Sequence, residues 1–222
     1  MNVNAITKSP VSFMRYHRIP DETIRRLPTY LRGVVILSEK GLTKVSSKRL
    51  AEFLGVNPWQ IRKDFSYFGD FGTPGIGYDT AKLRRQISKI LRLDSNHRAV
   101  LVGVGNLGSA LMAYNGFSKY GLDIVAAFDR DPRKIGRGKN NITIEDVSRI
   151  SEIKKRKADL GIIAVPAEEA QVVADELVKA GIKGILNFSP RHIVVPKKVK
   201  VISIDIAMDL ARLPYYMPSG PT

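Results

Sequence analysis

The stretch Arg98-Ala-Val-Leu-Val-Gly-Val-Gly-Asn-Leu-Gly-Ser-Ala-Leu-Met112 decides how the second half of this chain folds. A β-branched run, Ala99–Val104, leads through Gly103, Gly105 and Gly108 into an apolar helical segment. The glycine spacing alone is weak evidence, but a buried strand before it and a helix after it are the context a dinucleotide site requires. Gly103 serves the tight turn, Gly105 lets the backbone approach a pyrophosphate, and Gly108 lets the helix pack closely on the strand. Val104, Asn106 and Leu107 complete a loop at a helix N-terminus, where free N–H groups and the helix dipole favour phosphate. A second run, Asp123–Phe128, ends in Asp129, 21 residues beyond Gly108. A carboxylate there accepts from both ribose hydroxyls of an adenosine and repels a 2′-phosphate, so NAD(H) is expected over NADP(H). Arg130 beside it pulls the other way, and a Rossmann-like domain holding another nucleotide or CoA stays open.

Working outward, the runs Leu160–Val165, Gly184–Phe188 and Val199–Ile204 are nearly all apolar, as strands buried on both faces of a parallel sheet should be. They alternate with helical segments, which implies an α/β, Rossmann-like, doubly wound parallel sheet over residues 94–205. Val165-Pro166 and Asn187-Phe188 close two of these runs at the carboxyl edge, near the expected nicotinamide half. Each can equally be a plain strand terminator. Past Asp205 only residues 206–222 remain, enough for one short helix and a tail. No substrate domain is left, and His192 has no acid–base partner in the pattern, so no enzyme is expected.

Toward the N-terminus the periodicity is helical. Ser46 and Ser47 can cap a helix over Lys48–Leu54, Gly55 permits a turn, and Asn57 caps a second helix with Pro58 at its first position. With Ala51 small at the crossing and Val56 and Ile61 apolar, this is helix-turn-helix spacing. The second helix is expected to expose Gln60, Arg62, Lys63 and Tyr67 to a major groove; the alternative is a helical hairpin with a solvated basic face. Phe65–Tyr78, rich in glycine and aromatics, reads as a β-hairpin wing with Gly72, Gly75 and Gly77 at its tip. A helix over about Tyr78–Leu91 leads to a junction at Leu93–Arg98. The expected organisation is a leader over 1–19, a winged helix-turn-helix over 20–93, the Rossmann domain and a terminal helix.

Composition agrees with a polyanionic partner. The 222 residues carry a net charge of +15, with 17 Lys+Arg against 8 Asp+Glu in residues 1–96 and 19 against 13 in residues 97–222. There is no cysteine, and His17, His97 and His192 lack ligand spacing, so neither disulfide nor metal is expected. No apolar run is long enough to span a membrane and no signal peptide is visible, so a cytoplasmic location is expected.

Quoted together, Ile19-Pro20, Tyr30-Leu-Arg32, Gln60-Ile-Arg-Lys-Asp-Phe-Ser-Tyr-Phe-Gly69, Gly103–Gly108 and Asp205 with Leu210-Ala-Arg-Leu213 closely resemble the Rex-type redox-sensing transcriptional repressors. The resemblance covers nearly the whole chain from Ile19. It implies a homodimeric repressor that binds a palindromic double-stranded operator when NADH is low and leaves it when NADH binds. It implies that a terminal helix from Ile206 to about Tyr215 swaps onto the partner's Rossmann domain. Tyr114 and Asp205 match positions in the ligand-dependent rearrangement, and Arg32 one at the domain boundary. Two departures stand out. The wing tip is Thr73-Pro-Gly-Ile-Gly77 where relatives often carry Lys or Arg, so minor-groove contact there is either weaker or supplied by Tyr78 and backbone. Ile206 stands where some relatives place an aromatic. The alternative to a repressor is an NAD-dependent oxidoreductase or a CoA- or nucleotide-binding protein with an accessory DNA-binding domain.

Overall fold

The computed structural model describes residues 19–73 and 75–217. The expected leader up to residue 18, Pro74 of the wing tip and the tail from residue 218 lie outside the described residues. The chain forms two compact units, divided between Asp94 and Ser95.

The first unit runs α1 (Asp21–Glu39), β1 (Lys44–Val45), α2 (Ser47–Leu54), α3 (Pro58–Ser66), β2 (Tyr78–Asp79) and α4 (Thr80–Ile90). Side-chain caps start its later helices. The Ser46 hydroxyl accepts from the Arg49 N–H, the Asn57 carbonyl from Trp59 and the Asp79 carboxylate from Lys82. Gly55 ends α2 at φ +67°, a left-handed conformation that turns the chain into α3. Leu27, Tyr30, Val34, Leu50, Ile61, Leu83 and Ile87 have no exposed surface and form the core. A Cβ on Gly33 would lie 2.9 Å from Leu54, so α1 and α2 approach closely there as well as at buried Ala51.

The wing is smaller than the sequence suggests. Helix α3 continues through Phe65 and Ser66, because Phe65 packs inward against Tyr30. What remains of the hairpin is one bridge, Thr73 to Gly77, followed by β2, which pairs antiparallel with the unforeseen two-residue β1. Such short strands carry no readable alternation. Phe65, Phe71 and Tyr78 hold the wing to α3, the first pair stacked at 4.7 Å and Tyr78 edge-on at 5.4 Å.

Asp64 ties α3 to α1. It is fully buried yet accepts five hydrogen bonds: from Thr23 Oγ1 at 3.0 Å, Arg26 Nε and Nη2 at 2.6 and 2.8 Å, Tyr30 Oη at 2.7 Å and Gln60 Nε2 at 3.0 Å. Burial by itself raises a carboxyl pKa, but the bonds from Arg26, Tyr30, Thr23 and Gln60 outweigh it and hold Asp64 at about 2.

The second unit runs β3 (His97–Val102), α5 (Asn106–Ala113), β4 (Leu122–Asp129), β5 (Gly138–Lys139), β6 (Ile142–Asp146), a 3-10 segment Val147–Arg156, β7 (Leu160–Ile163), α6 (Ala170–Lys179), β8 (Gly184–Asn187), β9 (Lys200–Ser203), α7 (Ile206–Ala211) and α8 (Leu213–Tyr216). The sheet order is β5-β6-β4-β3-β7-β8-β9, parallel except for β5. In chain order its parallel strands stand 3-2-1-4-5-6, the Rossmann arrangement. The expected runs all form strands, most of them ending one or two residues early so that their last residues enter the loops at the carboxyl edge. The run beginning at Ile142 was not anticipated. It alternates Ile-Thr-Ile-Glu-Asp and sits beside the sheet edge, so it lacks the continuous apolar run of the others; of those, the run Val199–Ile204 is not buried on both faces as expected, because β9 is an edge strand with Ile202 exposed.

The 3-10 segment and α6 cover one face, α6 placing Val173 and Leu177 with Val100, Val102, Phe128 and Ile163 of the sheet in one core. On the other face α5 covers only part. The remainder is an apolar groove of about 420 Å³ lined by residues that include Ile124, Leu160, Ile162, Leu186 and Ile202. The terminal helix is two short ones, because Pro214 begins a new turn at α8. Every side chain from Ile206 to Met217 is exposed. Among the described residues no helix is long and apolar enough to cross a membrane.

The Asp64 pairing has a pH signature. The folded pKa lies below the ordinary value near 3.9. The pairing therefore stabilises the first unit above about pH 4, and that contribution is lost as pH falls toward 2. A loss of roughly 2 kcal/mol is expected for a shift of this size. It is read as a falling urea midpoint followed by the fluorescence of Trp59, the chain's only tryptophan. The pH dependence between 4 and 2 should flatten in Asp64→Asn.

Candidate functional site

Among the described residues, two concave sites gather the residues expected to bind ligands, one in each unit. In the second unit a cleft of about 530 Å³ opens at the carboxyl ends of β3 and β7, where the strand order reverses. Gly103, Gly105, Asp129, Arg130, Lys134, Val165 and Pro166 are among its lining residues. Its floor is set by backbone approach. Gly103 has φ +94°, and a Cβ there would lie 2.5 Å from the Ala164 carbonyl oxygen. A Cβ on Gly108 would lie 1.9 Å from the Gly103 carbonyl oxygen, so only glycine lets α5 start this close to β3. Gly105 differs: a Cβ there meets nothing within 4 Å, because the space beside it is the cleft. Asn106 and Leu107, in the first turn of α5, are exposed, and Val104 is buried beneath them. The first N–H groups of α5 have no intrahelical acceptors and lie at the cleft, an arrangement suited to a phosphate.

Asp129 is nearly buried and its carboxylate is already engaged. Oδ2 accepts from the Val104 N–H at 2.7 Å and from Lys134 Nζ at 2.9 Å, and Oδ1 from the Asp131 N–H at 2.9 Å. Burial raises its pKa, but the Asp131, Lys134 and Val104 bonds prevail and keep it below the ordinary range. Asp129 thus braces the glycine loop to β4 while facing the cleft. Lys134 was not singled out from the sequence; the available signal is a lysine five residues past a strand-terminal acid. Arg130 pairs with Glu169 at 2.9 Å at the cleft mouth.

The other expected ligand residues are placed elsewhere. Asn187 is fully buried and shapes the loop after β8: its Nδ2 donates to the Arg191 carbonyl at 2.8 Å and its Oδ1 accepts from the Ser189 N–H. Phe188 packs against the sheet face that α5 covers. Neither lines the cleft. Tyr114 ends α5 at the far end from the glycine loop, half exposed and edge-on to Phe117 at 5.0 Å. Asp205 caps α7 through the Met208 N–H, and Ile206 is exposed beside it. Arg32 is exposed on α1. Among the described residues no group of three His, Asp or Glu side chains could hold a metal.

In the first unit, a cavity of about 500 Å³ lies between the start of α2, the outer side of α3 and the wing, with Ser46, Ser47, Arg62, Gly72, Thr73 and Gly77 among its lining residues. Arg62 Nη1 donates to Ser47 Oγ at 2.9 Å. Lys48, Asn57, Arg62 and Lys63 are exposed, as a phosphate- and base-contacting face needs. Three expectations change. Gln60 is half-buried with its amide given to Asp64, so it is drawn away from the face it was expected to serve. Tyr67 is half-buried at the end of α3. Tyr78 is mostly buried under the wing, where burial raises its pKa, and it lines the cavity from that side near Arg62. Trp59, missed in the sequence, is exposed with Lys63 Nζ 4.9 Å above its ring.

Comparison with known proteins matches both units. Residues 94–191 fit a CoA binding domain model, and residues 18–66 fit a model described as a putative DNA-binding protein N-terminus. The chain is 44% identical to the redox-sensing transcriptional repressor Rex of Desulfitobacterium hafniense, over 91% of this chain and 97% of that one. It is 46% identical to the Rex of Carboxydothermus hydrogenoformans, over 91% and 98%. Among solved structures, RSP in complex with β-NAD+ and operator DNA matches with a TM-score of 0.84 at 37% identity, covering 89% of this chain and 92% of that one. RSP in complex with β-NADH matches with a TM-score of 0.81 at 35% identity, covering 90% and 94%.

The glycines separate fold from ligand. Gly108→Ala forces a backbone collision and should lower the melting temperature of the second unit. Gly105→Val should leave the melting temperature unchanged, because its side chain fills the cleft and not the protein. The expected result is loss of nicotinamide-dinucleotide binding, read by calorimetric titration.

Proposed function

The chain belongs to the Rex family of redox-sensing transcriptional repressors, and on that premise we propose that it represses transcription by binding a palindromic operator when NADH is low and releasing it when NADH binds. The observation that carries this reading is the pairing of a glycine-built cleft at the β3/β7 switch point with a basic helix-turn-helix face in one chain. The solved relatives hold operator DNA with β-NAD+ and, separately, β-NADH, as a redox reader of this kind requires.

The mechanism is thermodynamic linkage. If NADH prefers one arrangement of the protein and operator DNA another, each weakens the other by the same factor. A coupling of about 1–3 kcal/mol gives a 5–150-fold change in operator affinity. NAD+ and NADH differ by one charge and by ring planarity, so discrimination lies at the nicotinamide end. The adenosine end, at Asp129 and Lys134, contributes affinity to both forms.

The working unit in this proposal is a homodimer acting in the cytoplasm. Two apolar surfaces support it. One is the half-covered sheet face with Ile202 exposed; the other is the terminal segment with Ile206, Met208, Leu210 and Leu213 exposed. Apolar surface this extensive favours a second copy. An exchange of terminal helices between copies covers both surfaces and puts each protomer within reach of its partner's ligand.

A gel shift with a palindromic promoter fragment, run with and without NADH, tests the reading. Binding that NADH reverses is expected, while NADH turnover with a small substrate and no DNA binding would sink it. Arg62→Ala should lose about 5–150-fold in operator affinity and keep NADH binding, since a charged hydrogen-bonding contact to base or phosphate is worth about 1–3 kcal/mol.

A further inference from the structure

Trp59 has no role in the core or the wing. It is 56% exposed in the first turn of α3, with its N–H held by the Asn57 cap. Positions 59, 62, 63 and 66 follow the spacing of one helix face, and all four are exposed. Arg62 is steadied by Ser47, and the Lys63 ammonium lies over the indole. Gln60, the side chain best suited to an adenine edge, is turned inward to Asp64. The outward face of α3 therefore presents one broad apolar plane flanked by two cations.

The flanking charge points to a polyanion, and the N-terminal residues of a recognition helix are those that meet base edges. The apolar feature of the major groove is the thymine C5-methyl group. We propose that Trp59 is a specificity-determining residue that reads one thymine of each operator half-site through its methyl group, while Lys63, braced on the indole, meets the adjacent phosphate. This rests on the operator-binding reading above. The indole supplies apolar contact area, so the recognition is of a methyl group and not of a hydrogen-bonding edge.

The test removes the methyl alone. The probe is the palindromic duplex that the full chain selects from a random-sequence pool. Each thymine is replaced singly by deoxyuridine, and affinities are measured by fluorescence anisotropy for the wild type, Trp59→Ala and Trp59→Phe. Burial of one methyl predicts about a fourfold loss for the wild type at one thymine of the half-site. Trp59→Ala should bind the thymine and deoxyuridine duplexes equally, at lower affinity than the wild type, while Trp59→Phe keeps part of the difference. NADH binding should be unchanged in both variants, and a wild-type far-ultraviolet circular dichroism spectrum and urea transition show that the first unit folds. The same deoxyuridine penalty in Trp59→Ala as in the wild type overturns the inference, and so does a wild type indifferent to every deoxyuridine. A chain that selects no duplex at all overturns the operator-binding reading itself, a failure distinguishable from the other two.

Discussion

A single buried carboxylate organises the DNA-reading unit. Asp64 sits in the last turn of α3 with no exposed surface, and four side chains converge on it, three from α1 and one from α3. A buried charge is costly unless paired and fully hydrogen-bonded, and here five donors meet it. Because those donors stand at Thr23, Arg26 and Tyr30 on one side of α1, the rotation of α3 about its own axis is set. The opposite side of α3 is thereby turned outward, and it carries Trp59, Arg62 and Lys63. The same carboxylate draws in Gln60. What the unit can read thus follows from how its recognition helix is held from behind.

The second unit depends on a constraint of a different kind. The approach of α5 to β3 is set by an absence of volume: the Gly103 carbonyl occupies the space a Cβ on Gly108 would take. That contact puts the start of α5 against the strand end. Asp129 then locks the loop from the side by accepting the Val104 N–H, with Lys134 compensating its charge. The acid at the end of β4 is thus a structural brace as well as part of the cleft lining, and its carboxylate is held ionised by the protein's own donors.

Much of this was legible in the sequence because the physics is local. Caps at Ser46 and Asn57, the turn at Gly55 and the glycine loop at Gly103 depend on neighbours within a few residues. The parallel strands, apart from the one at Ile142, announce themselves by continuous apolar runs. The edge-side strand Ile142–Asp146, the two-residue β1 and the extent of α3 were not legible. The first alternates like a surface strand, the second is too short for a period, and the third is extended by the packing of Phe65 on Tyr30. Among site residues, Tyr78 and Asn187 look polar and available in the sequence and are buried in the fold. Trp59 looks like core material and is exposed.

By itself, then, the sequence determined the two-part architecture, the dinucleotide cleft and the helix-turn-helix, since each is written in short-range spacing and conformational preference. Only the tertiary structure decided which side chains face those sites. That choice rests on long-range partners: Asp64 with Arg26 and Tyr30 across some 35 positions, Asp129 with Val104 across 25, and Phe65 with Tyr78 across the wing. Short-range pattern is blind to pairings of that separation, because helical and strand periodicity specify a buried side without saying what it is buried against.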